Sequence, residues 1–147
     1  FIQLHGDESV EYCHNFPPAM LIKALPLRSE IDLAEALHYN VAAILIDSRA
    51  GGLYGGTGQK ANWDLALQIR SQRPLILAGG LNELNLREAV EEVAPPALDI
   101  NSGVEVRPGV KDHKKIARLF DLVRSLDQPP NATPLIFKKR EFHENTT

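Results

Sequence analysis

Five short apolar runs alternate with five segments of helical spacing along this chain, and this alternation constrains the fold more than any other feature. The runs are residues 1–5, 20–25, 41–46, 74–78 and 97–100. Each has the length of a strand, and 41–46 has the continuous apolar content of a strand that is buried in a sheet. Strands that alternate with helices pair in parallel, so the sequence predicts an α/β fold, either an open doubly wound sheet or a barrel.

The helical segments follow residues that can cap a helix N-terminus. Candidate caps or starts are residues 7–9, Ser29, Asn62, Asn82 and about His113. The clearest apolar spacing, i, i+3, i+4 and i+7, belongs to Leu86, Ala89, Val90 and Val93. A similar stripe in the last segment, up to about Leu126, comprises Ile116, Leu119, Phe120 and Val123.

Composition narrows the class of protein. The chain has 147 residues, 44% of them hydrophobic and 24% charged, which is typical of a globular domain. A net charge of -3 gives no reason to expect nucleic acid or a membrane surface as a partner. No apolar run approaches the length of a membrane span and no signal pattern is seen, so we expect a cytoplasmic protein. Residues 1–126 are the expected domain, and 127–147 are a polar tail that we expect to be flexible. Because the first residue is Phe and lies in a strand-like run, we also expect a chain that begins within a fold.

The single cysteine, Cys13, excludes an internal disulfide and a metal site built on several thiolates. It follows Val10 by three residues in a predicted helix. We therefore expect a small buried hydrophobic residue rather than a catalytic thiol.

Polar residues follow several strands, at the edge where α/β folds bind ligands. Asp47 directly follows the run 41–46, Asp99 lies near the end of the run 97–100, and His5 ends the first run, so we interpret both aspartates as carboxylates at the ends of buried strands. Desolvation favours the protonated form of a carboxyl group, which suits a general acid, although strand-end aspartates often only bind loop amides. A lone histidine in such a place is often a hydrogen-bonded wall residue.

Two glycine-bearing segments follow the last two predicted strands, LAGGLN at 77–82 and DINSGVE at 99–105. Glycines at neighbouring strand ends expose backbone N–H groups, which can bind a phosphate dianion. Each segment alone could be an ordinary turn, but the pair predicts a phosphate site at Gly79, Gly80, Ser102 and Gly103. Neither GxxxxGK[ST] nor a GxGxxG after a strand is present.

Four motifs together resemble the phosphoribosylanthranilate isomerase family of tryptophan biosynthesis. They are QLHGDES at 3–9, LIDS with GGTGQKANWDLA within 45–66, PLILAGGLNELN at 74–85 and ALDINSGVEVRPGVKD at 97–112. The resemblance covers residues 1–126 and implies a (βα)8 TIM barrel, of which this chain holds the fourth to eighth βα units. It also implies an Amadori rearrangement of N-(5-phosphoribosyl)anthranilate, an aldose–ketose isomerisation without metal or organic cofactor.

By this resemblance Asp47 is the general acid, and Gly79, Gly80, Ser102 and Gly103 bind the substrate phosphate. His5 and Asp99 match positions that line the family's active site, and residues 51–58 match a loop over the substrate. The family's general base is a cysteine after its first strand, in a KICG-type motif, and an arginine from the early strands holds the anthranilate carboxylate. Neither segment occurs here, so we expect an incomplete isomerase that is inactive alone.

Other readings remain open. The chain could be a sugar-phosphate-binding remnant without activity. It could also belong to another phosphate-binding barrel. An indole-3-glycerol-phosphate synthase type would need a catalytic lysine, for which Lys23 is the candidate. A ribulose-phosphate epimerase type would need metal-binding histidines, and only His5 is suitably placed for that role. Lys23 could equally be an interior polar residue that contacts a neighbouring strand.

Overall fold

The computed structural model describes residues 1–47 and 58–126, which form one parallel sheet, flanking helices and a small hairpin. The strands are β1 (Ile2–Leu4), β2 (Leu21–Pro26), β3 (Ala43–Asp47), β4 (Leu75–Ala78) and β5 (Ala97–Leu98). The α-helices are α1 (Val10–Cys13), α2 (Glu30–His38), α3 (Gly58–Arg70), α4 (Leu86–Val93) and α5 (His113–Ser125). The predicted alternation of five strands with five helices is confirmed.

The strand order decides between the two predicted architectures. All five strands are parallel, and they lie side by side in chain order, β1-β2-β3-β4-β5. A doubly wound sheet reverses its strand order at a switch point, whereas a βα barrel adds each strand beside the previous one. The sheet therefore has the topology of five consecutive units of a barrel, as the motifs implied.

The sheet has two faces, and alternate residues of each strand occupy them. The inner face is defined by a buried cluster of small and branched residues: Ile22, Ala24, Ala43, Leu45, Ile76 and Ala78. The outer face packs against the helices through a larger cluster that includes Leu21, Ile44, Ile46, Leu75 and Leu77. Because Asp47 follows Ala43 and Leu45 at intervals of two, its side chain belongs to the inner face.

Several helix starts differ from prediction. Ser9 and Ser29 are N-caps as expected, and their hydroxyl oxygens accept hydrogen bonds from the backbone N–H groups of Tyr12 and Asp32. Asn62, however, lies inside α3, which begins at Gly58. The N-cap of α4 is Asn85 and not Asn82, because residues 82–85 form a turn before the helix.

An antiparallel hairpin follows β5 and was not predicted. It comprises β6 (Glu105–Arg107) and β7 (Val110–Lys111), with Gly109 at φ 80° in the turn. Its strands have only three and two residues, which is shorter than the alternation by which strands are recognised in sequence. The hairpin connects the end of β5 to helix α5.

Both flanks of the sheet carry uncovered apolar surface. Phe1 and Ile2 are exposed beside β1, whose only partner in the described residues is β2. Beside β5, a cavity of about 650 Å³ opens between the strand and α5, and Phe120 on its wall is 58% exposed. Phe120 therefore belongs to the predicted apolar stripe of α5 without the expected burial.

Two predictions lie outside the described residues: the loop over the substrate, except for Gly58 at the start of α3, and the flexible tail at 127–147. Among the helices that the structure does describe, none is long and apolar enough to span a membrane.

Candidate active site

Asp47 ends β3 on the inner face, at the carboxyl edge of the sheet. The register places it beside Pro26 of β2 and Ala78 of β4, and its side chain is partly buried. The buried run Ala43–Ile46 fixes the strand, so the carboxylate is held by a rigid element. This position matches the predicted one.

Asp99 lies in the same row of the sheet, two strands from Asp47. Its backbone N–H donates to the Leu77 carbonyl, 2.9 Å away, which continues the pairing of Leu77 with Leu98 and brings Asp99 beside Ala78. Two strand spacings separate the Cα atoms of the two aspartates by roughly 10 Å. Unlike the desolvated carboxylate that we expected, Asp99 is exposed, because β5 is only two residues long and has β4 as its one neighbour in the described chain.

His5 follows β1 and is exposed. Gln3 pairs with Ile22, an inner-face residue, so His5, two residues later, also belongs to the inner face. In the sheet His5 lies beside Ala24, and Ala24 pairs with Leu45. Leu45 precedes Asp47 by two residues on the same face. The structure therefore brings His5, Asp47 and Asp99 to one edge and one face, although they come from three different strands.

The two glycine-bearing segments are in direct contact. A Cβ atom added to Gly103 would lie 1.9 Å from the Leu81 carbonyl oxygen and 3.0 Å from Cβ of Asn82. No side chain fits between them, so Gly103 is required for the close approach of the two loops. Gly79 and Gly80 have φ values of 85° and 69°, which L side chains rarely adopt. All four predicted phosphate-binding residues thus lie on two adjoining loops.

Polar side chains that we did not predict support these loops. The Asn82 and Asn85 carboxamides both donate to the Gly80 carbonyl oxygen. Lys111 of the hairpin binds the second loop through the Asn101 carbonyl at 2.9 Å and the Asn101 side-chain oxygen. The Lys111 ammonium also lies 2.8 Å from Glu105 Oε1, and this hydrogen bond lowers the pKa of Glu105. Only the repeated asparagine in GGLNELN pointed to such a role in the sequence.

Lys23 does not reach the candidate site. It pairs with Ile44 in the sheet, so its side chain belongs to the outer face, opposite to Asp47. It is 1% exposed and donates to the Gly6 carbonyl at 2.7 Å and to Glu8 Oε2 at 2.9 Å. The interior-polar interpretation is therefore the correct one, and the position of Lys23 argues against a synthase-type catalytic lysine.

Cys13 is buried, as predicted, and it belongs to the cluster that packs on the outer face of the sheet. Burial raises the pKa of its thiol. A protonated thiol in the helical layer is a poor base and lies away from the inner face. Within residues 1–47 and 58–126, no group of three or more His, Cys, Asp and Glu side chains is placed to bind a metal ion.

Comparison with known proteins places this geometry in a family. The family model described as N-(5'phosphoribosyl)anthranilate (PRA) isomerase matches residues 1–122. The chain belongs to the phosphoribosylanthranilate isomerase family. Isomerases of this family in Syntrophus aciditrophicus and Thermotoga neapolitana are similar, at 53% identity over 123 residues and 44% over 127. The matches cover 84% and 85% of this chain.

Solved isomerases of the family share the fold. The Thermotoga maritima enzyme superposes with a TM-score of 0.70 at 40% identity, over 84% of this chain. A second structure, with a TM-score of 0.66 and 37% identity over 84% of this chain, is a complex with reduced 1-(o-carboxyphenylamino)-1-deoxyribulose 5-phosphate. The chain spans only part of these proteins: 54% and 62% of the two relatives, and 61% and 59% of the two solved chains.

Proposed function

We propose that this chain forms the acid and phosphate side of a cytoplasmic phosphoribosylanthranilate isomerase active site in tryptophan biosynthesis. The substrate is N-(5-phosphoribosyl)anthranilate, and the product is 1-(2-carboxyphenylamino)-1-deoxyribulose 5-phosphate. The observation that carries the proposal is the position of Asp47 on the inner face, one strand from the loop of Gly80 and two strands from the adjoining loop of Gly103. Membership of the family supports it.

Asp47 acts as the general acid. It gives its proton to the ribose ring oxygen while the bond from that oxygen to C1 breaks, and the anthranilate nitrogen then forms a Schiff base with C1. A base removes the proton from C2, the electron pair shifts to give an enolamine, and its tautomerisation places the ketone at C2. The steps move protons and electrons within one substrate, so they need no metal and no organic cofactor.

The loops after β4 and β5 hold the phosphate. Backbone N–H groups at Gly79, Gly80, Ser102 and Gly103 would surround the dianion and fix one end of the substrate. His5 and Asp99 are proposed to line the sugar and anthranilate part of the site. The separation of roughly 10 Å between the Asp47 and Asp99 Cα atoms leaves space for a ligand between their side chains.

The base and the anthranilate-binding arginine must come from other polypeptide in this proposal. Cys13 is buried on the outer side, and Lys23 is held by Gly6 and Glu8. The exposed apolar surface at β1 and beside β5 supports the proposal that additional βα units pair with both flanks of the sheet. We therefore propose that the 147-residue chain is inactive until such units complete the barrel.

Joining the chain to the first three βα units of the Thermotoga neapolitana relative tests this proposal. The loss of phosphoribosylanthranilate fluorescence would be followed for the chain alone and for the joined protein. Activity only in the joined form is expected. Activity of the chain alone would place a base within these residues, and a folded but inactive joined protein would favour a sugar-phosphate-binding remnant.

A further inference from the structure

Two asparagine side chains donate to one backbone carbonyl in the loop after β4, which is the first of the two loops proposed to bind phosphate. Asn82 Nδ2 lies 2.9 Å from the Gly80 carbonyl oxygen, and Asn85 Nδ2 lies 3.1 Å from the same atom. Asn85 occupies the N-cap position of α4, yet its side chain makes no capping bond to the helix. Helix capping therefore does not account for this asparagine.

The oxygen atoms of both carboxamides are also occupied. Asn85 Oδ1 accepts from the Asn82 backbone N–H at 2.9 Å, and Asn82 Oδ1 accepts from the Leu84 N–H at 2.8 Å. Because backbone N–H groups only donate and a carbonyl only accepts, each carboxamide fits in one orientation. The two side chains thus form a closed network around Gly80.

This network fixes the direction of the next amide. In a planar trans peptide the C=O of Gly80 and the N–H of Leu81 point in opposite directions, so the Leu81 N–H points away from the asparagines. Within the described residues, this N–H has no hydrogen-bond acceptor. The Leu81 side chain is buried, and its carbonyl abuts Gly103, so the residue is held on both sides.

We propose that Asn82 and Asn85 are positioning residues. They turn the Gly80 carbonyl away from the proposed phosphate site between the loops after β4 and β5, and they direct the Leu81 N–H toward that site. This rests on the phosphate site of the proposed function. A carbonyl oxygen facing a phosphate dianion would repel it, whereas an N–H with no other acceptor donates to it. The hydrogen bond from the Asn82 backbone N–H to Asn85 Oδ1 also keeps this N–H away from the phosphate site. The network therefore selects which backbone N–H faces the anion.

The test compares Asn82→Asp and Asn85→Asp with Leu84→Asp in the 147-residue chain. Aspartate keeps the acceptor oxygen of asparagine but cannot donate to Gly80 when it is ionised. Leu84 lies in the same turn and is 95% exposed, and its substitution adds the same charge without removing a hydrogen bond to Gly80. Titration with inorganic phosphate, followed by amide NMR shifts, measures affinity, and residual dipolar couplings measure the direction of the Leu81 N–H.

We expect phosphate affinity to fall roughly tenfold in each asparagine variant and to stay within about twofold in Leu84→Asp. The Leu81 coupling should change in the asparagine variants alone. An unchanged Leu81 direction, or equal affinity losses in all three variants, would overturn the positioning role. If the unaltered chain gives no phosphate response, the proposed phosphate site is wrong, and the couplings still report whether the asparagines orient Leu81.

Discussion

The Lys23 ammonium lies 2.9 Å from Glu8 Oε2, which ties the interior of β2 to the loop that follows β1. The same ammonium binds the Gly6 carbonyl, and the Glu8 carboxylate accepts from the Gly6 N–H. The Tyr39 hydroxyl donates to the Glu8 carbonyl at 3.0 Å. Lys23, buried on the outer face, thus holds the backbone directly after His5. It can influence His5 and the inner-face site only through this loop after β1.

Acid should weaken this connection. The hydrogen bond from Lys23 lowers the pKa of Glu8 below its ordinary value of 4.5. A carboxyl whose pKa is lowered on folding stabilises the protein above its unfolded-state pKa and loses that contribution as pH falls through the folded-state value. Glu8→Gln should therefore reduce the unfolding free energy at pH 7, and the difference from the unaltered chain should disappear in acid.

Urea unfolding at several pH values measures this difference, with Glu92→Gln as the control. Glu92 is exposed on α4 and makes no ion pair in the described part of the chain. A difference between the Glu8 variant and the unaltered chain that persists unchanged in acid would contradict the assignment.

Lys23→Met should leave the chemistry of a joined, complete barrel nearly intact. Lys23 is on the outer face, so removal of its charge should change kcat by no more than about threefold, whereas loss of a catalytic lysine would abolish turnover. Fluorescence-based steady-state kinetics distinguish the two cases. A loss of kcat in a variant with unchanged thermal stability would contradict a purely structural role for Lys23.

Gly103→Ala should separate the two loops that are proposed to bind phosphate, those after β4 and β5. The added Cβ would overlap the Leu81 carbonyl oxygen, which belongs to the backbone and cannot rotate away. We expect a loss of about 3 kcal/mol in unfolding free energy and weaker phosphate binding. Calorimetry and phosphate titration measure the two effects.

Gly109→Ala is the matched control for that variant. Gly109 has a positive φ of 80°, but a Cβ there would meet no atom within 4 Å. Backbone strain of about 1 kcal/mol is expected, without an effect on phosphate. Equal losses of phosphate affinity in the two alanine variants would show that contact between the loops is unimportant.

Asp47→Asn in the joined barrel should lower kcat by roughly 100-fold or more, with a small change in KM. Asparagine keeps the shape of the side chain but has no proton of suitable acidity for the ring oxygen, and a general acid acts mainly in the transition state. Asp121→Asn, an equivalent change on an exposed part of α5, should have no effect. Unchanged turnover in Asp47→Asn would refute the acid assignment.

The isolated chain should associate or bind hydrophobic dyes more strongly than the joined barrel. Its uncovered surface lies at Phe1 and Ile2 on one flank and around Phe120 on the other. Additional βα units would cover both. Sedimentation velocity and dye fluorescence of the two proteins at equal concentration test this, and identical behaviour would argue against uncovered flanks.

Local patterns in the sequence determined the elements and the positions of the strand-end residues. The apolar runs predicted all five sheet strands, and the motif order predicted the family. Periodicity reports which residues of one element share a face, because that depends on backbone geometry alone. The sequence pattern placed Asp47 at a strand end but missed the exposed hairpin of β6 and β7. It also predicted N-caps at Asn62 and Asn82, whereas α3 begins at Gly58 and the N-cap of α4 is Asn85.

Tertiary structure decided what depends on pairing between distant segments. The strand order without reversal excluded the doubly wound sheet, and the register placed Lys23 on the face opposite to Asp47. The contact of Gly103 with Leu81 joins residues that are far apart in the chain, and the convergence of Asn82 and Asn85 on Gly80 requires a particular turn. The sequence by itself thus determined which groups this protein carries, and only the packing of strands and loops decided which of them meet, because register and facing are set by contacts across the fold.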